Sequence, residues 1–355
     1  MRSFNRFFVG NIMVWLKIYT VKGDTLMNDS IPEKIGFGTA PLGNMFRDIP
    51  DEEARATVDA AWEHGIRYFD TAPFYGAGLA EIRLGEALED RPREDYFLST
   101  KVGRLIKDEE DKPAEGDLFE YGRQNKVVND YSGDAALRSI EQSLERLKTD
   151  HLDFVFVHDI AQDFHGDEWL AKFEEARTGA FRELTRLREE GVIKSWGIGV
   201  NRVEPIEIAL ELEEAKPDLC LMAGRYTLLD HERALQRVLP EAVKQGVGII
   251  AGGPYNSGVL AGGSHFEYQK ASPEMVEKVE KINRIAENHE ITAKAAALQF
   301  TLAHPAITAA IPGGSRPERI KEDQDALNTA IPAAFWQELR DQKVISPEAP
   351  IPVRK

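Results

Sequence analysis

Three apolar runs in this chain end on an ionisable side chain: IRYFD on Asp70, YFLSTK on Lys101 and FVFVH on His158. A phenol, Tyr75, follows Asp70 within the turn YFDTAPFYGAG, flanked by Phe74, Gly76 and Gly78. Taken singly, each residue has a structural explanation: an aspartate caps a turn, a lysine snorkels to solvent, a histidine bonds at a strand edge and a tyrosine packs. Together they make a proton-transfer set. A phenol ordinarily titrates near a pKa of about 10, too high for easy exchange at neutral pH, and a neighbouring ammonium favours the phenolate and lowers that value. Asp70 keeps Lys101 charged. A neutral His158 donates a hydrogen bond to a carbonyl oxygen and aims it at Tyr75. Such a site moves a proton to or from an oxygen while another group moves hydride.

Strand ends that far apart in sequence meet only if the fold gathers them. From residue 35 onward, short apolar runs alternate with amphipathic stretches in β-then-α order. IGFGTAPL, IRYFD, YFLST, LDFVFV, SWGIGV, DLCLM, VGIIA and AITAAI supply eight strands. They are too apolar to be half-exposed, which suits a single-domain (β/α)8 TIM barrel with helices outside and chemistry at the carboxyl ends of the strands. A doubly wound open sheet is the alternative. That fold asks for G-x-G-x-x-G after an early strand; GAGLAE has Glu81 in the third place and GIGVNR has Arg202, so neither is the fingerprint.

Composition narrows the partners. The 355 residues carry 44 Lys and Arg against 60 Asp and Glu, a formal charge of −16 that repels phosphate backbones and anionic membranes. A small-molecule substrate is expected, not nucleic acid or a membrane. Cys220 is the only cysteine, so no intrachain disulfide or CxxC site forms, and a cytoplasmic setting fits. MRSFNRFFVGNIMVWL has the plan of a signal peptide, but its apolar run is short and no small-residue cleavage site follows. Residues 1–30 are therefore expected to be an N-terminal extension, disordered or lying upstream of a natural start at Met27. Residues 31–345 form the barrel and 346–355 a C-terminal tail, in a monomer or small homo-oligomer.

FDTAPFYGAGLAEIRLGEAL, FLSTKVGRLI and FVHD, in this order and spacing, resemble the aldo-keto reductase superfamily of NAD(P)-dependent oxidoreductases, over roughly Ile35 to Ala326. The resemblance implies Tyr75 as acid/base, Lys101 and Asp70 as its tuning pair, and His158 as the group that orients the substrate oxygen. It also implies that Gly199 and Asn201 hold the nicotinamide carboxamide, while Ser257, Gly258, Val259 and Leu260 wrap the pyrophosphate. Gly252 stands where many members carry an aromatic that stacks on the nicotinamide, with Tyr226 and Tyr255 as candidate replacements. Many relatives read I-P-K-S after the last strand to meet the 2′-phosphate of NADPH, followed by R-x-x-E-N at the adenosine. Here Gly313 and Gly314 replace Lys and Ser, Ser315 and Arg316 follow, and Arg319, Glu322 and Asp323 match the later part. A missing cation weakens phosphate recognition by about 1–3 kcal/mol, so NAD is expected over NADP, although Arg316 offers a replacement charge.

Within that superfamily, TAPFYGAGLAEIRLGEAL and STKVGRLI resemble the bacterial group of D-threo-aldose 1-dehydrogenases, L-fucose dehydrogenases and pyridoxal 4-dehydrogenases. The resemblance implies oxidation of a cyclic hemiacetal to a lactone. The long stretch Gly103 to Ser132 reads as a lid over the mouth, with Asn129 as a substrate contact. Phe74, Asp159 and Tyr226 are the other substrate candidates, with Phe164 and Trp169 at the rim. His158, His165 and Asp163 lack metal-ligand spacing, so no metal is expected. Two competing readings are an NADPH-dependent reductase of small aldehydes or ketones and a non-catalytic nucleotide-binding barrel.

Overall fold

The computed structural model describes residues 4–9, 12–17, 31, 34–110 and 118–352. Eight strands form one parallel sheet in chain order: β1 (Phe37–Gly38), β2 (Tyr68–Asp70), β3 (Phe97–Val102), β4 (Phe154–His158), β5 (Ser195–Val200), β6 (Leu219–Ala223), β7 (Gly248–Gly252) and β8 (Ile307–Ile311). Bridges from Ile35 to Ala310 and from Gly38 to Gly313 bring β1 back against β8 and close the barrel. Each strand is followed by a helix of the outer ring: α1 (Asp51–Glu63), α2 (Leu79–Leu88), α3 (Gly133–Leu147), α4 (Ala180–Glu189), α5 (Glu204–Leu210), α6 (Val238–Gln245), α7 (Ala293–Leu302) and α8 (Pro317–Asn328). The architecture is the (β/α)8 barrel expected from the sequence. The first strand is much shorter than its run, because TAPL leaves the sheet as a 3-10 turn over Ala40–Gly43.

Alternation along each strand sorts the side chains into two cores. Val155, Val157, Trp196, Ile198, Cys220, Met222 and Ile249 point outward and are buried under the helices. Tyr68, Phe154, Phe156, Leu219, Leu221, Ile250, Ala309 and Ile311 fill the interior, joined by Ile31 from the segment before β1. The two-residue period therefore puts Asp70 on the inner face above Tyr68, Lys101 above Ser99, and His158 above Phe156. Register completes the arrangement: Asp70 pairs with Ser99, Lys101 with Phe156, and His158 with Gly199.

The connection after β3 is a hairpin, Arg104–Glu110 against Asn125–Asn129. It folds onto the turn that carries Tyr75: Arg123 N donates to Gly76 O at 3.1 Å and Asn44 Nδ2 donates to Tyr121 O at 2.9 Å. Near the amino terminus, Phe4–Val9 and Ile12–Lys17 pair as an antiparallel hairpin, where the sequence suggested a disordered extension. The rest of the first 30 residues, including the alternative start at Met27, lies outside the described residues. The tail does not hang free up to residue 352: Ala349 is buried, and its carbonyl accepts a hydrogen bond from Arg340.

The opposite end of the barrel is clamped by one carboxylate. Asp153, at the start of β4, accepts from Arg93 Nη2 at 2.6 Å and from the backbone N of Leu98 at 2.9 Å, and pairs with Lys194 at 2.7 Å. Burial pushes its pKa up, but Arg93 and Lys194 outweigh that and leave it below the ordinary carboxylate value. A depressed carboxylate adds stability that is complete above its unfolded pKa of about 3.9 and disappears as pH falls through the lower folded value. Asp153→Asn should therefore cost about 3 kcal/mol at pH 7. In urea unfolding, the gap between wild type and variant should shrink below about pH 4; a gap that stays constant with pH would contradict this role.

Candidate active site

Asp70 and Lys101 meet at the carboxyl mouth, each about 1% exposed. Lys101 Nζ donates to Asp70 Oδ2 at 2.7 Å and to Thr71 O at 2.8 Å. Ser99 Oγ donates to the other carboxylate oxygen at 2.7 Å and is itself 3.0 Å from the Tyr68 hydroxyl. Burial raises the Asp70 carboxyl above its ordinary value, while Lys101 and Ser99 pull it back. Gly199 packs closely beside them: an added Cβ there would lie in ordinary contact with Lys101 Cε at 3.6 Å and tightly against Phe156 Cβ at 3.3 Å.

Tyr75 lies over this pair, with Lys101 Nζ 4.8 Å from its ring centroid. Its turn depends on Gly76, whose φ of 64° is left-handed and whose added Cβ would strike Gly43 O at 2.4 Å. The sequence reading expected Lys101 to lower the phenol's pKa. Instead it is raised well above its ordinary value, first by burial, then by Asp70 and Asp159, with Arg104 opposing. Burial outweighs the ammonium, whose charge is already engaged by Asp70 and Thr71.

His158 stands edge-on to Tyr75, with ring centroids 5.9 Å apart and planes at 84°. Burial, Lys101 and Arg104 hold its pKa well below 6.5, so the imidazole is neutral at pH 7. Its backbone carbonyl accepts from the Tyr131 hydroxyl at 2.9 Å, and that hydroxyl also lies 2.8 Å from His165 Nε2. His165 is thus tied to a structural phenol, and no group of three metal-ligating side chains forms among the described residues.

The other substrate candidates divide. Phe74 faces His158 and Phe164 edge-on, with centroid distances of 6.1 and 6.3 Å, and Asp159 is buried beside His158. Asn129 is exposed on the hairpin opposite Arg104; the lid reaches the site instead through Phe119, whose ring lies 5.8 Å from Tyr75 and 5.2 Å from Phe74. Tyr226 is not at the mouth. It stacks on Phe300 of α7 beneath the helical shell, at 5.2 Å. Tyr255 is also turned away, its hydroxyl donating to Asp323 at 2.8 Å. Trp169 opens the helix Trp169–Thr178 in the connection after β4.

Along the cofactor side, Asn201 O accepts from Arg225 Nε at 2.6 Å, and Asn201 Oδ1 accepts from the Tyr268 hydroxyl at 3.4 Å. Ser257 Oγ accepts from Tyr268 N at 3.0 Å. Val259 and Leu260 are buried, and Leu260 lines an open cleft of 440 Å³ with Lys294, Glu322 and Asp325. Arg319 pairs with Glu322 at 2.7 Å, and Lys294 bridges Glu322 and Asp323 at 2.9 and 2.8 Å. Gly313 is exposed, Gly314 packs by Phe37, Ser315 O accepts from Arg47 at 2.9 Å, and Arg316 is exposed just before α8.

Around the carboxyl ends of the strands, other features suit a nicotinamide cofactor. Thr39 Oγ1, Thr71 Oγ1 and Asn256 Oδ1 are buried without a partner among the described residues. β6 and β7 end on Ala223 and Gly252, leaving a floor without bulky side chains. Asn256, Ser257 and Gly258 run in the left-handed region at φ 47°, 56° and 98°, a backbone shape that suits the close approach of a ligand.

Several residues at the mouth were not singled out from sequence: Ser99, Arg104, Phe119, Tyr131, Tyr268 and Lys294. Ser99 was findable, since it sits two residues before Lys101 on the same strand face. Tyr268 was not. It occupies a tight turn between His265–Phe266 and Gln269–Lys270 in which Glu267 and Tyr268 both take positive φ, 49° and 65°. Such turns ordinarily use Asn or Gly, so Glu-Tyr gives no turn signal.

Comparison with known proteins agrees with this geometry. A model described as "Aldo/keto reductase family" matches residues 34–343. Pyridoxal 4-dehydrogenase of Microbacterium luteolum is 38% identical over 88% of this chain and 94% of its own length. D-threo-aldose 1-dehydrogenase of a Pseudomonas species is 35% identical over 88% and 94%. An aldo-keto reductase of Bacillus halodurans in its holo form shares the fold, with a TM-score of 0.64, 24% identity, and coverage of 98% of this chain and 97% of that one. The barrel, the residues gathered at its mouth and these matches make the chain a member of the aldo/keto reductase family, an oxidoreductase acting on CH–OH groups.

Proposed function

We propose that this enzyme oxidises a cyclic hemiacetal, of an aldose or of pyridoxal, to the lactone with NAD as hydride acceptor. The observation that carries the reading is the buried Asp70–Lys101 pair beneath Tyr75, with a neutral His158 beside it. The relatives that act on pyridoxal and on D-threo-aldoses support the substrate class. When bound, the nicotinamide takes up the hydride. The chain does the rest. His158 donates a hydrogen bond to the substrate oxygen, Tyr75 accepts that oxygen's proton, and Lys101 with Asp70 fixes the electrostatic surroundings of the phenol.

NAD is favoured over NADP by the charges around α8. Arg319 and Lys294 are engaged by Glu322 and Asp323, Arg47 is paired with Glu53, and Gly313 and Gly314 carry no cation. Of these described residues, Arg316 is the cation left to meet a 2′-phosphate. The single cysteine is buried beneath the helices, which suits a cytoplasmic enzyme, and a monomer or small homo-oligomer suffices for a site built from one chain. No helix among the described residues is long and apolar enough to cross a membrane.

Initial rates with NAD plus L-fucose or pyridoxal, against NADPH plus an aromatic aldehyde, separate this reading from a detoxifying reductase. Failure of every pair would favour a nucleotide-binding barrel without catalysis. Tyr75→Phe should abolish turnover while leaving NAD affinity nearly unchanged; an active variant would remove Tyr75 from the mechanism. Because the phenol is held protonated, oxidation rates should climb with pH through the alkaline range while reduction is already supported at neutral pH. A pH-independent oxidation rate between 7 and about 10 would contradict this. Gly313→Lys should improve kcat/KM with NADP relative to NAD by about tenfold, the effect of one added charged contact to phosphate.

A further inference from the structure

Arg104 is the first residue of the lid hairpin, yet its side chain is turned inward and buried. Gly103 makes that turn, with φ at 96° and no room for a Cβ, which would lie 2.4 Å from the Tyr131 ring. The guanidinium is held between two aromatic faces, 3.9 Å from the Phe74 centroid and 4.5 Å from that of Phe164. Its Nη2 donates to Asp159 Oδ2 at 2.7 Å, and the same oxygen lies 3.4 Å from His158 Nε2. Arg104 Nε has no partner among the described residues.

Stability does not account for this pair. Two charges taken out of water cost several kcal/mol, and well-packed apolar residues of similar volume often do as well or better. Asp159 also adopts a left-handed backbone at φ 55°, a conformation that costs about 1 kcal/mol or more for a residue with a Cβ. Such costs concentrate where a ligand is recognised. The location agrees, since Phe74 adjoins Tyr75 in the chain and Asp159 adjoins His158.

We propose that Arg104 and Asp159 are specificity-determining residues that bind the oxygen substituent nearest the carbon being oxidised. The inference rests on the hemiacetal oxidation proposed above. His158 holds the reacting oxygen, and Asp159 Oδ2 lies 3.4 Å from the same Nε2 atom, so an acceptor stands beside that oxygen. A second oxygen one or two carbons away falls within its reach. Arg104 Nε supplies a donor and Asp159 an acceptor, so the pair reads a hydroxyl in both directions. In an aldose that group is the 2-hydroxyl on the adjacent carbon; in pyridoxal it is the phenolic oxygen, one ring carbon further from the hemiacetal carbon. The aromatic faces fix the guanidinium without using its hydrogen-bonding edge.

The test compares L-fucose with 2-deoxy-L-fucose and pyridoxal with its 3-O-methyl ether, using wild type, Arg104→Met and Asp159→Asn with saturating NAD. Wild type should favour the parent in at least one pair by about thirtyfold or more in kcat/KM, since a site built around a polar group rejects the analogue lacking it. Arg104→Met keeps the length of the side chain between Phe74 and Phe164. It should reduce kcat/KM for the parent at least tenfold, mainly through KM, with little change for the analogue, so that the ratio collapses toward one. The dissociation constant for NAD should stay within twofold. Which pair shows the collapse identifies the substrate as sugar or vitamer. Equal losses on both members of each pair, or no loss, would overturn the role of Arg104; if Arg104→Met does not fold, the near-isosteric Asp159→Asn gives the same readout. Lack of turnover of either parent by wild type would instead sink the hemiacetal reading, and this inference with it.

Discussion

The active end of the barrel is organised around the contact between Asp70 and Lys101. Two opposite charges, both almost wholly removed from water, sit at 2.7 Å between neighbouring strands. Removing either partner would leave an uncompensated buried charge, at a cost of about 3–5 kcal/mol. The surroundings are arranged accordingly. Ser99 occupies the second carboxylate oxygen, Thr71 gives Lys101 a second acceptor, and Gly199 packs against the lysine stem. With its net charge near zero, the pair presents Tyr75 with an ordered dipole and no free cation. Burial is the main reason that the phenol's pKa is raised, and the engaged lysine does not offset it, against the expectation drawn from an isolated lysine.

Most of the fold was readable in the sequence because it depends on repetition. Eight apolar runs separated by amphipathic stretches leave few architectures, and a period of two carries each terminal polar residue to the barrel's inside. Asp70, Lys101 and His158 were found by this logic alone, since each interrupts a strand at its last turns. What escaped was set by long-range packing. Asn129 and Phe119 lie in the same connection, and only the path of the hairpin decides that the ring meets Tyr75 while the amide faces outward. Tyr226 and Tyr255 follow strand ends, as site residues often do, but Phe300 and Asp323 supply them with other partners.

The two ends of the barrel use charge differently. At the amino-terminal end, Asp153 is satisfied by Arg93, Lys194 and a backbone amide, and the result is a lowered pKa and a stabilising clamp. At the mouth, Asp159 is also buried but has fewer donors; its pKa is pushed up to about 6 by burial, with Arg104 opposing and Asp163 adding to the rise. The same residue type is thus fully compensated where it supports the scaffold and incompletely compensated where a ligand would complete its environment.

The close approach of Gly43, Gly76 and Gly122 has a wider consequence. Main chain from the loops after β1, β2 and β3 stacks here without intervening side chains: a Cβ on Gly43 would meet Tyr75 C at 2.5 Å, and one on Gly122 would meet Gly76 Cα at 2.6 Å. The turn that carries Tyr75 is therefore held on both sides by rigid backbone, with no adjustable rotamers to absorb a displacement. Lengthening or shifting either flanking loop would be transmitted to the phenolic oxygen almost undiminished. The three glycines thereby fix the height of the Tyr75 ring above the Asp70–Lys101 pair.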